Sequence, residues 1–232
     1  MYYFALLQGG ERDLSAEEAG REMQAYLDFH ARSAAAIREG DALGSAAEGL
    51  RITGGPDAPV VTDGPYAEGA EVAGGYYVFE ADNLDEALQL ARQIPAAQYG
   101  SVELWPMVSW NAVGRPTTDT DWLALLIEPA DGVNVPGSPE WDHGVARHVE
   151  FGEAAGSHIL GGAPLHPPST ATTVRVRDGE VTLTDGPYAE GAEVANGYYV
   201  LSAADRDAAT KIASMIPASA VHLRRLAGVS GL

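Results

Sequence analysis

The sequence predicts an α+β chain built from two ferredoxin-like units of order β-α-β-β-α-β that set their sheets against each other. Three observations predict it. Residues 62–78 read TDGPYAEGAEVAGGYYV and residues 184–200 read TDGPYAEGAEVANGYYV, so one segment is written twice at an offset of 122, with Gly74 against Asn196 as the only difference. Each half runs strand, capped helix, strand-rich middle, strand, capped helix, strand. The helices of such a unit cover one sheet face, and the other face needs a second cover that a duplicated chain can supply itself.

The elements follow in order. Tyr2–Gln8 is an apolar strand. Ser15-Ala16-Glu17-Glu18 is a capping box opening a helix that runs to about Glu39, with Arg38 in its last turn and Gly40 beyond. A strand-rich middle ends near Thr62. Gly75–Ala81 is a strand with Tyr77, Phe79 and Ala81 toward the helices. Tyr76, Val78 and Glu80 form its other face, repeated as Tyr198, Val200 and Ser202, which suits either a wall of a partly wet interior or a solvated face. The duplication tips the reading toward the shared wall. Gly and Asn at 74 and 196 are the residues that best accept positive φ, so a left-handed turn is expected there. Asn83-Leu84-Asp85-Glu86 opens a second helix whose Leu84, Ala87, Leu88 and Ala91 share a face, and Val102–Val108 closes the unit.

The repeat continues to Ile94-Pro95-Ala96 and Ile216-Pro217-Ala218, and Phe4-Ala5-Leu6-Leu7 aligns with Leu123-Ala124-Leu125-Leu126 at an offset of 119. A period above 100 residues is too long for a solenoid. The expected domains are residues 1–111 and 119–232, with a Gly- and Pro-containing linker at 112–118. Residues 1–118 hold 7 basic and 18 acidic side chains, and residues 119–232 hold 7 and 15.

The net charge of −19 argues against nucleic acid and against an anionic membrane surface. With no cysteine there is no disulfide, thiol nucleophile or Cys-held metal. The apolar run at the N-terminus is too short for a span and has no basic flank, so a cytoplasmic protein is expected. No GxGxxG after a strand, P-loop, GxSxG, HxH or HExxH occurs, so neither cofactor nor metal is expected. The expected partner is a small molecule. An exposed edge strand would favour a higher oligomer of the intact chain.

Histidine is the natural proton carrier near neutral pH. Ala19, Met23, Tyr26, His30, Ala34 and Ile37 step along one helix stripe, as do Trp141, Val145, His148, Gly152 and Ala155. An offset of 118 would place His30 and His148 at the same inward position, either as core histidines or as general acid/bases. His143 and His158 have no counterpart in the first half, His166 lies in a proline-rich loop, and His222 matches Glu103. Asp63 and Asp185 precede Gly-Pro, where an Asx-turn explains them and where a pairing with histidine gives the functional alternative. Tyr66 and Tyr188 could donate to a ligand or pack beside the sheet. Glu68, Glu71, Glu190 and Glu193 read as solvated loop charges.

Asp63-Gly64-Pro65-Tyr66-Ala67-Glu68, then Gly74-Gly75-Tyr76-Tyr77 and Ile94-Pro95, with the second copy at Asp185–Glu190, Gly197-Tyr198-Tyr199 and Ile216-Pro217, resembles the DGPF-type branch of the YCII-related proteins. Tyr66 and Tyr188 stand where Phe is common, and Gly-Ala replaces a Thr-Lys pair. The resemblance implies an intramolecular dimeric α+β barrel. Some relatives act on small cyclic compounds without cofactor, and the family is thought to pair a helix histidine with an aspartate. His30 and His148 with Asp63 and Asp185 are then the catalytic candidates, and Tyr66, Tyr76, Tyr188 and Tyr198 the ligand-binding ones. The implied function is a cofactor-independent isomerase or lyase. The alternative is a non-catalytic ligand-binding or regulatory module.

Overall fold

A computed structural model describes residues 1–10, 12–64, 72–187 and 193–229. The first half contains β1 (Tyr2–Gly9), α1 (Ala16–Ser33), β2 (Ile37–Ala42), β3 (Leu50–Thr53), β4 (Val60–Asp63), β5 (Val72–Glu80), α2 (Leu84–Ala91), α3 (Ala96–Tyr99) and β6 (Ser101–Pro106). The second contains β7 (Asp121–Pro129), α4 (Pro139–Ala155), β8 (Ile159–Pro164), β9 (Thr172–Arg177), β10 (Glu180–Asp185), β11 (Glu193–Ser202), α5 (Arg206–Ala213) and β12 (Ala220–Arg225). The strands make two six-stranded antiparallel sheets, ordered β10-β9-β6-β1-β5-β2 and β4-β3-β12-β7-β11-β8. Four strands of each sheet, β6-β1-β5-β2 and β12-β7-β11-β8, form the ferredoxin-like arrangement.

The remaining two strands of each sheet come from the other half. Hairpin β3–β4 leaves the first half and pairs through β3 with β12. Hairpin β9–β10 crosses back and pairs through β9 with β6. Each hairpin thus covers an edge that a lone unit would leave open. Arg51 on β3 fastens the first crossing, with both Nη2 contacts on Glu193 at 2.6 and 2.8 Å and Nη1 2.7 Å from His222 Nε2. Glu193 is therefore an ion-pair partner at the start of β11.

Strand parity builds three cores from the sequence's alternation. Phe4, Leu6, Tyr76 and Val78 from the first sheet meet Leu123, Leu125, Tyr198 and Val200 from the second. Tyr3, Ala5, Tyr77 and Phe79 face α1 and α2. Trp122, Ala124 and Leu201 face α4 and α5. The two halves therefore form an intramolecular dimeric α+β barrel. Its interior is drier than the half-polar face suggested: Tyr76 and Val200 are 0% exposed and Tyr198 1%. Phe4 fills the centre, its ring 5.8 Å from Tyr76 and 4.6 Å from Tyr198. No helix among the described residues is long and apolar enough to cross a membrane.

Three local expectations are corrected. The first helix keeps its capping box, with Ser15 Oγ accepting from Glu18 N and Glu18 accepting from Ser15 N, but it ends at Ser33 rather than near Glu39. Residues 37–42 are a strand because β5 needs an edge partner, and Gly40 permits the approach: a Cβ there would lie 2.4 Å from the Tyr77 ring and 2.8 Å from Tyr76 O. The helix also buries Phe29 and Ser33 rather than the stripe through Met23, which is 50% exposed. Neither Gly74 nor Asn196 has a positive φ. Both sit where the register shifts, between Gly75 and Ala73 opposite β1 and between Ala195 and Gly197 opposite β7. The irregularity is a β-bulge, which places one extra residue without a left-handed turn.

Candidate functional site

A cavity of about 480 Å³ opens between α1 and the end of the first sheet, within the size range of small-molecule sites. Its wall takes Tyr26 and His30 from α1, Tyr77 from β5, Asp41 from β2 and Tyr99 from α3, between apolar Leu7, Leu14, Met23 and Leu43. The capped α1 sets the depth of His30, since Phe29 beside it is fully buried edge-on to Tyr77 at 5.4 Å. His30 Nε2 lies 2.7 Å from the Tyr77 hydroxyl. Burial, then the neighbouring Tyr26 phenol and Asp41 carboxylate, push the Tyr77 phenol above its ordinary range. Tyr77 therefore keeps its proton and can donate it toward His30 Nε2.

A second polar chain lines the same cavity. Tyr99 donates to Glu22 Oε1 at 2.6 Å, and the Tyr26 hydroxyl lies 3.1 Å from that of Tyr99. A carboxylate only accepts, so Tyr99 spends its proton on Glu22 and Tyr26 donates to Tyr99. Arg12 pairs with Glu22 and stacks its guanidinium 3.5 Å from the Tyr99 ring centroid. Burial is the leading cause that raises both phenols.

The expected His–Asp pairs do not form. Asp63 ends β4, the outer strand of the second sheet, where it pairs with Arg206 and lines a different cavity of about 600 Å³ beside Glu48, Asp205 and Arg225. Asp185 ends β10 on the outer edge of the first sheet, exposed and paired in register with Thr172. The crossing hairpins carry each aspartate to the sheet of the other half, which is why a motif in the same half as a histidine does not reach it. Besides Glu22, the carboxylate residue that does line the cavity with His30 is Asp41, 6% exposed, accepting from Thr117 Oγ1 and from Val229 N at 3.0 Å. In the sequence the helix reads on to about Glu39 with Gly40 beyond it, and Asp41 after that carries no motif that marks it. The matching segment Ile159–Pro164, an apolar Gly-Gly run, was the signal that a strand stands there.

His148 is not the counterpart of His30. Phe29 and Phe151 occupy the same place, packed edge-on to Tyr77 and Tyr199 at 5.4 and 5.1 Å, and their offset is 122. By that offset His30 matches Gly152 and His148 matches Tyr26. His148 reaches Tyr199 from the earlier turn, through Nδ1 at 3.0 Å. Burial and Arg147 lower it to about 4, so it is neutral near pH 7.

Tyr76 and Tyr198 line the dry interior rather than the cavity. They converge on Glu39, whose Oε1 accepts from the two hydroxyls at 3.0 and 3.4 Å while Oε2 accepts from Val113 N at 3.3 Å. The buried Trp110 indole nitrogen stands beside this carboxylate without a well-aligned hydrogen bond. Burial raises Glu39 above the ordinary carboxylate range. Tyr66 and Tyr188, with Glu68, Glu71 and Glu190, lie outside the described residues.

The YCII-related domain matches residues 1–111 and again residues 124–224, so the chain belongs to the YCII-related family as a tandem duplication. Among curated proteins no sequence match is found. One solved structure similar to the chain is a protein provisionally assigned as a chlorite dismutase, at 9% identity and TM-score 0.44, over 97% of this chain and 94% of that one.

Proposed function

We propose that the first repeat is a small-molecule site for cofactor-independent proton transfer, of the kind an isomerase or lyase uses. One observation carries the reading: an imidazole nitrogen 2.7 Å from a phenol that keeps its proton, both on the wall of a ligand-sized cavity. His30 is the proton carrier, and Tyr77 holds its ring through the hydroxyl contact at Nε2. The apolar remainder of the wall suits a small, mostly apolar organic molecule with an enolisable position.

The alternative, a binding module without catalysis, draws on Asp41. Both its oxygens already accept hydrogen bonds, from Thr117 and Val229, which suits an anchor better than a base. Incubating the chain in D₂O with a panel of cyclic enolisable carbonyl compounds separates the two. Catalysis deuterates the carbon beside the carbonyl, and His30→Gln slows this by about 10²–10⁴-fold. Ligand-induced NMR shifts without any deuteration would leave only the binding reading.

A further inference from the structure

The two repeats share seventeen-residue motifs and a fold, yet they do not share the cavity's chemistry. At the offset fixed by Phe29 and Phe151, His30 becomes Gly152 and Glu22 becomes Gly144. Asp41 pairs in register with Tyr76, and at the same place opposite Tyr198 stands Ala163. Tyr99 belongs to α3, a turn that the second half omits: four residues separate Ala96 from β6, and one separates Ala218 from β12. Proton carrier, carboxylate and phenol chain are thus replaced together. His148, in the place of Tyr26, is neutral and bonded to Tyr199.

The second half instead contributes to the first half's cavity. Arg224 on β12 and Val229 beyond it both line it. Arg224 stands in register with Leu123 as Trp105 stands with Phe4, so it occupies the place of a buried indole. Its guanidinium, on a residue 9% exposed, donates to Ala73 O at 3.2 Å and to Gly44 O, and so joins the bulge of β5 to the turn after β2. Val229 N holds Asp41. These contacts pin three segments of the cavity wall.

We infer that the chain carries one ligand site, in the first repeat, and that the second repeat completes this site with Arg224 and Val229 instead of keeping its own. The inference rests on the proposed reading of the cavity and adds its number and its make-up. Crystals of the whole chain soaked in 4-bromophenol, a flat ring with one hydroxyl, test it by the anomalous signal of bromine. One bromine per chain is expected, beside His30 and Tyr77. In the deuteration assay His30→Gln is expected to lose about 10²-fold or more and His148→Gln to stay within about twofold of wild type. Bromine beside Tyr199 at matching occupancy, or equal losses in the two variants, overturns the single site while leaving the chemistry standing. An absence of both bromine and exchange overturns the proposed function and this inference with it.

Discussion

Glu39 shows what one residue can decide. Among the described residues it is the carboxylate to which Tyr76 and Tyr198 both point, and its counterpart Gly161 has none to offer. Burial raises its carboxyl, and the hydrogen bonds from Tyr76 and Val113 offset that only in part. A raised carboxyl favours the protonated folded chain. The stability it contributes is complete below the ordinary value of about 4.3 and is lost as pH climbs through the raised one. Glu39→Gln keeps an acceptor for Val113 N and leaves its amide to the tyrosine hydroxyls, which can turn to accept. We expect its melting temperature to exceed wild type at pH 8 and to match it near pH 4. A variant equally destabilised at both would refute the argument. His148 and His222 act in the opposite sense. Burial holds both at about 4 instead of 6.5, so their contribution is present above pH 6.5 and lost as pH falls toward 4. His222→Gln still accepts from Arg51, and a flatter melting profile between those pH values is the expected result.

Among elements, strand β2 explains most of what sequence reasoning saw and missed. Parity on β1 and β5 was legible because Phe4/Leu6 and Tyr76/Val78 alternate with Tyr3/Ala5 and Tyr77/Phe79 without interruption. In β2 the inner face carries Glu39 and Asp41, so the alternation is polar and reads as the tail of a helix. Asp41, just past that tail, carries no motif to mark it. The crossing hairpins were illegible for another reason: nothing in the sequence of β3 names the half that supplies its second neighbour, which in the packed molecule is β12. The glycines make this testable. Gly40→Ala brings a Cβ against Tyr77 and the Tyr76 carbonyl, and we expect a loss of about 1–3 kcal/mol in urea unfolding. Gly74→Ala meets nothing within 4 Å at a negative φ and should stay within about 0.5 kcal/mol of wild type. Equal costs at the two positions would mean that β2 does not lie where the strand register puts it.

For the whole molecule, the duplication removes a choice that a single unit would face. The barrel core is shared between the halves, with Phe4, Tyr76 and Trp105 on one side and Leu123, Leu125 and Tyr198 on the other. Each sheet also borrows two strands. A separated half would expose its inner face, leave the outer edge of β6 open where β9 had paired, and carry hairpin β3–β4 with nothing to pair against. Such a fragment cannot bury enough surface alone, but a second copy offers both missing parts. Residues 1–111 expressed alone should therefore form a homodimer by light scattering, each copy lending its hairpin to the other's β6. Both copies are strongly acidic, so raising salt from about 0.05 to about 0.5 M should tighten the dimer. Adding residues 119–232 should draw the fragment into a heterodimer, because Arg51 then regains His222 and Glu193. A folded, stable monomer of residues 1–111 would show that the crossing strands decorate the unit and do not complete it.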